Sequence, residues 1–67
     1  MNITLNNSPE FIDRDEISIS ELIKLKNFIF KMLVVKHNGQ VIKKQDYDTT
    51  IVKNGDNVVI LHLVSGG

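Results

Sequence analysis

The chain has 67 residues, with eight basic and eight acidic side chains, one proline and no cysteine. That length makes one small domain burying about 60% of the surface its unfolded form exposes, without a disulfide or a thiolate for catalysis or zinc. The balanced charge, with a pI near 6.7, argues against a nucleic-acid-binding face. No segment approaches the roughly 20 apolar residues of a membrane span, and the N-terminus carries no basic-then-apolar leader pattern. The expectation is a cytoplasmic domain bound to neither nucleic acid nor membrane. Too few polar groups are present to converge into the pocket of a self-standing enzyme.

Ile3-Thr4-Leu5 alternates with polar Asn2 and Asn6, the period of a half-buried strand. Asn7-Ser8-Pro9 reads as a turn, and Glu10 to Asp13 as a short returning edge strand. Ser18 and Glu21 have the spacing of a capping box, in which each side chain satisfies the other's backbone N–H. Ile19, Leu22 and Ile23 then form one apolar stripe, and Asn27 suits a left-handed helix end. The expected helix has roughly 9–10 residues and is about 15 Å long.

Phe28 to His37 is apolar and β-prone, with the strand proper expected to begin near Lys31 or Met32. Asn38-Gly39 is a strong hairpin signal, because a type I′ turn needs positive φ at both positions. Val41-Ile42 returns as a short strand, and Lys43 to Thr50 reads as a loop with a helical turn. Thr50-Ile51-Val52 is a further short extended piece, and Lys53 to Asp56 a tight turn. Val58 to Val64 is the most apolar strand, and Val64-Ser65-Gly66-Gly67 follows it. Those four residues fit either a thin tail held out by a rigid strand or an ordinary frayed end.

A near-continuous apolar run marks a strand buried within a sheet, so Val58–Val64 is expected at its centre. It should lie between the first strand and the strand ending at His37. One helix across one side completes a two-layer α+β domain, the ubiquitin-like β-grasp, with a mixed sheet of four to five strands. Alternation puts Val58 and Ile60 on one side and Val59, Leu61 and Leu63 on the other. The usual register of that fold assigns the first pair to the helix. The three others would then form an open apolar face suited to a partner.

The sequence resembles the ThiS family of sulfur carrier proteins of thiamine biosynthesis. The resemblance rests on Asn38-Gly39 after a strand, Val41-Ile42, Tyr47, Ile51, Gly55-Asp56, the alternating aliphatics and Gly66-Gly67. It spans nearly the whole chain and is strongest from Leu33 onward. Lys43 departs from it, at a position where the family often has proline. The resemblance implies a β-grasp domain over residues 1–63 and a flexible tail over 64–67. The expectation is a carrier that itself binds no cofactor and no metal.

The resemblance further implies that Gly67 is adenylated by a ubiquitin-activating-type enzyme using ATP and magnesium. It is then thiocarboxylated with sulfur from a donor such as a cysteine desulfurase, and passes that sulfur to thiazole synthase. Gly66, Ser65 and Val64 would thread the tail into the partner, while Val59, Leu61 and Leu63 hold it. Sulfur carriers for molybdopterin or tRNA thiolation share this tail chemistry, and a non-catalytic interaction module of the same fold is the alternative from another class. His37 and His62 fall on different strands, with no acidic or cysteine cluster at metal-ligand spacing.

Overall fold

The computed structural model describes residues 1–28 and 32–63. Strand β1 (Asn2–Leu5) turns back into β2 (Ser8–Phe11). The turn lies one residue earlier than the sequence suggests. Asn6 and Asn7 both take positive φ, 51° and 65°, so Ser8 and Pro9 open the returning strand. Asparagine tolerates that region, and two such residues make a primed hairpin turn. Pro9 costs the sheet little because β2 lies at its edge.

The chain then forms β3 (Glu16–Ser18) and helix α1 (Ile19–Leu25). The capping box is complete: the Glu21 N–H donates to Ser18 Oγ at 3.1 Å, and the Ser18 N–H donates to Glu21 Oε1 at 3.5 Å. The helix has seven residues, shorter than the sequence predicts, because its C-terminal stop begins at Lys26. Asn27 is left-handed, with φ 57°. The Phe28 N–H donates to the Ile23 carbonyl and the Asn27 N–H to the Lys24 carbonyl, a Schellman ending.

Strands β4 (Leu33–His37) and β5 (Gln40–Ile42) flank the Asn38-Gly39 turn, whose φ values of 50° and 85° are both positive. The start expected at Lys31 or Met32 thus falls at Leu33, and Lys31 lies outside the described residues. A single 3-10 turn (Lys44–Asp46) leads to β6 (Ile51–Lys53), and β7 (Asn57–His62) closes the described chain. The main sheet runs β2-β1-β7-β4-β5, with β1 parallel to β7 and the other pairs antiparallel. β7 is central, as its apolar density predicts.

A second, two-stranded sheet was not legible in the sequence. β3 and β6 pair antiparallel, with Ile17 opposite Val52, and both side chains are buried. β6 falls on the extended piece expected at Thr50-Ile51-Val52, but β3 has three residues, too few for periodicity to announce it, and nothing local shows that the two pair. Together they close the core beneath α1, where Ile19 and Leu22 meet Ile3 and Leu5 of β1, Val35 of β4, and Val58 and Ile60 of β7. Among the described residues no helix is long and apolar enough to cross a membrane.

Candidate functional site

The site is built on β7. Its alternate residues divide between the sheet's two sides: Val58 is 0% exposed and Ile60 2%, whereas Leu61 is 50% exposed. Pairing shows what shares the outer side. Val34 lies opposite Leu61, Lys36 opposite Val59, and Val41 opposite Lys36. Directly opposed residues point the same way, so Val34, Val41, Val59 and Leu61 form one aliphatic surface with Lys36 in its middle. Across β1, Phe11 stands opposite Asn2 on that same side and is 65% exposed.

Of the three residues expected on this face, Val59 and Leu61 lie on it. Leu63 is placed differently. It sits one residue past β7, where its N–H donates to the Met32 carbonyl at 3.0 Å, and it also lines a cavity on the helix side. It therefore occupies the corner between the two sides. Val64, Ser65, Gly66 and Gly67 lie outside the described residues.

Two devices hold β7 in place. β1 pairs with it only through Thr4–Asn57 and Leu5–Val58. Beyond that point the Asn6 side chain continues the ladder. Its Nδ2 donates to the Ile60 carbonyl at 3.1 Å, and its Oδ1 accepts from the Ile60 N–H at 2.8 Å. Satisfying both backbone groups of Ile60 allows the strand to run on after β1 has turned away. At the other end, Asp56 Oδ2 accepts from the Lys53 N–H at 2.9 Å and pairs with His37 Nε2 at 2.7 Å. Burial pushes the Asp56 carboxyl up, but the hydrogen bonds from His37, the Lys53 backbone and Asn38 outweigh it and hold it below the ordinary value. Asn38 Oδ1 accepts from the Asn57 N–H at 2.8 Å, so the Asn38 turn and the start of β7 are tied together.

The helix-side cavity, about 660 Å³ and open along one side, begins at Leu63. Ile23 and Phe28, juxtaposed by the Schellman ending of α1, form one wall, and Leu33 and Ile42 form the floor. Tyr47 closes the end, half-buried against the core, and burial pushes its phenol up. Lys24, Lys43 and Lys44 are the charged residues on the lining. Among the described residues no three histidines, cysteines or carboxylates come together to hold a metal. His37 is accounted for by Asp56, and His62 stands at the end of β7.

Sequence reading missed Asn6, Phe11, Val34 and Val41. The signal for Val34 and Val41 was present: the Asn38-Gly39 hairpin sets a register that puts Val41 opposite Lys36, next to Val34 on the same side. No local signal marks Asn6, whose partner lies 54 residues away.

The ThiS family profile matches residues 2–67. The chain belongs to the ThiS family. It is 35% identical to a thiamine biosynthesis protein (ThiS) from Geobacter metallireducens, whose crystal structure superposes over the whole of both chains with a TM-score of 0.87. The solution structure of a thiamine biosynthesis protein from the same organism is 32% identical. It covers all of this chain and 88% of that one, with a TM-score of 0.78. A more distant relative, the uncharacterized protein ycf40 of Trieres chinensis, is 25% identical over 61 residues, which is 91% of this chain and 84% of that protein. Against this ThiS framework, the mixed sheet with one helix on one side is the β-grasp expected from the sequence.

Proposed function

We propose that this ThiS-family protein is a sulfur carrier for thiamine biosynthesis, loaded at the Gly67 carboxyl. The observation that carries the reading is the asymmetry of β7. The strand is buried through Val58 and Ile60, and on its other side it presents Val59 and Leu61 immediately before the tail. A rigid strand with an apolar grip beside a glycine end suits a chain that is handled by partners and does no chemistry with its own side chains. In this reading it is a co-substrate and not a catalyst.

An α-carboxylate is a poor electrophile at neutral pH and needs activation before sulfur can replace oxygen. A ubiquitin-activating-type enzyme supplies it. The Gly67 carboxylate oxygen attacks the α-phosphorus of magnesium-bound ATP, and pyrophosphate leaves. The outer sulfur of a persulfide from a donor such as a cysteine desulfurase displaces AMP to give an acyl disulfide. A thiol cleaves that by disulfide exchange, leaving the thiocarboxylate. Thiazole synthase then receives the sulfur. Four extended residues span about 13 Å, enough to carry Gly67 into a partner's active site while the domain stays outside. Glycine at positions 66 and 67 suits a narrow channel, since it has no Cβ to collide with the walls.

The test is intact-mass spectrometry after incubation with the activating enzyme, ATP and a sulfur source. Replacement of one oxygen by sulfur, abolished by deleting Gly67, supports the carrier. An unchanged mass with enzymes that load another ThiS protein refutes it and leaves a binding module.

A further inference from the structure

The helix-side cavity has a charge pattern that core packing does not explain. Of the other cations described, Arg14 pairs with Glu21 at 2.8 Å and Lys26 with Glu10 at 2.9 Å, while Lys36 and Lys53 make no ion pair and lie outside the cavity. Lys24, Lys43 and Lys44 make no ion pair among the described residues, and all three line the same cavity. Among the described residues no carboxylate shares that lining, and the nearby Asp48 accepts a hydrogen bond from the Ser20 hydroxyl. A net-neutral protein has thus gathered three unneutralised cations around an apolar floor. The occupant that complements both features carries a bulky apolar group flanked by negative charge.

Position narrows the choice further. The cavity starts at Leu63, the residue before Val64-Ser65-Gly66-Gly67, so a partner that takes those four residues is brought against this opening. The cavity is open along one side and would cover one face of an occupant. A site for a small molecule usually encloses most of its ligand. Clustered lysines also speed the encounter with an acidic surface.

We propose that this cavity receives an acidic peptide segment of the partner protein that holds the tail, with an apolar side chain seated between Phe28 and Ile42 and its flanking carboxylates on Lys24, Lys43 and Lys44. The inference rests on the reading that a partner draws in the tail, and it gives that partner a second grip on the side of the sheet opposite Leu61.

The experiment uses the isotope-labelled full chain and the capped peptide Glu-Glu-Leu-Phe-Glu-Glu, with amide shifts followed by NMR at low salt. Shifts should centre on Ile23, Phe28, Ile42 and Leu63. Affinity should fall at least about fivefold for the Gln-Gln-Leu-Phe-Gln-Gln peptide and about tenfold for the double variant Lys43→Glu/Lys44→Glu. The control Lys53→Glu, at a lysine outside both the cavity and the Leu61 face, should change it less than about twofold. Equal affinity for both peptides, shifts confined to the Val59 and Leu61 face, or binding of dodecanoate without binding of the acidic peptide would each overturn the proposal. Deleting Gly67 leaves this binding intact while abolishing sulfur loading, so failure of the docking site and failure of the carrier reading are told apart.

Discussion

Ile60 and Leu61 are neighbours on one strand, similar in size and hydrophobicity, yet one is 2% exposed and the other 50%. Intrinsic preference cannot produce that difference. What produces it is a helix of seven residues that covers one side of the five-stranded sheet, with no helix among the described residues on the other. The covered side, with Val35, Val58 and Leu22, maintains the fold. On the open side Val41 and Leu61 are exposed and Val34 half-buried, and in the proposed reading this apolar surface serves a partner. A mutation's effect should therefore follow the side it falls on.

The largest expected effect lies in the covered layer. Leu22→Ala removes a fully buried side chain and should cost about 2–5 kcal/mol. In a domain of this size each kcal/mol lowers the melting temperature by about 4–8 °C, so thermal denaturation will report it. Asn6→Ala comes next. It leaves both backbone groups of Ile60 without a partner and replaces asparagine with a residue that tolerates φ 51° less well, for about 2–3 kcal/mol in total. Asn6→Gly loses the hydrogen bonds without the strain, so the difference between the two variants isolates the backbone contribution.

Asp56→Ala should cost about 1–2 kcal/mol by stripping an acceptor from His37 and from the Lys53 N–H. The same residue gives a pH dependence. Asp56 is held below its ordinary value, and Glu21 is too, first by the hydrogen bond from Arg14 and then by those from Ser18. A carboxyl depressed in the folded state stabilises above its unfolded pKa, and that contribution disappears as pH falls through the folded value. Melting temperature should hold near neutrality and decline below about pH 4, with a shallower decline in Asp56→Ala.

The smallest effect on stability is expected from Leu61→Asp, within about 0.5 kcal/mol, because the residue is already half in water. Binding to the activating enzyme should nonetheless weaken at least about tenfold, measured by calorimetry against the wild-type chain. A loss of stability comparable to that of Leu22→Ala would dissolve the distinction between the two sides.

Several parts of this molecule are readable residue by residue. The capping box of Ser18 and Glu21, the left-handed stop at Asn27 and the Asn38-Gly39 hairpin are interactions between near neighbours, so their spacing in sequence is their geometry in space. The central place of β7 follows from its apolar density on both sides. Sequence also carries the Asn38-to-Gly55 pattern and the glycine end on which the ThiS resemblance rests. By contrast, Asn6-Asn7 could form the turn as readily as Asn7-Ser8-Pro9, and only the register of β2 on β1 selects between them.

The pairing of β3 with β6, the clamp of Asn6 on Ile60 and the placement of Leu63 at a corner join residues far apart along the chain. The gathering of three lysines around one cavity does the same. Such contacts exist only once the sheet has closed, and no local pattern of residues specifies them. Sequence by itself determined most strands of the main sheet, the residues that cap the helix, and that the last strand is apolar on both sides. Tertiary structure alone decided which of those sides is core and which is open, because that depends on where a single helix comes to rest.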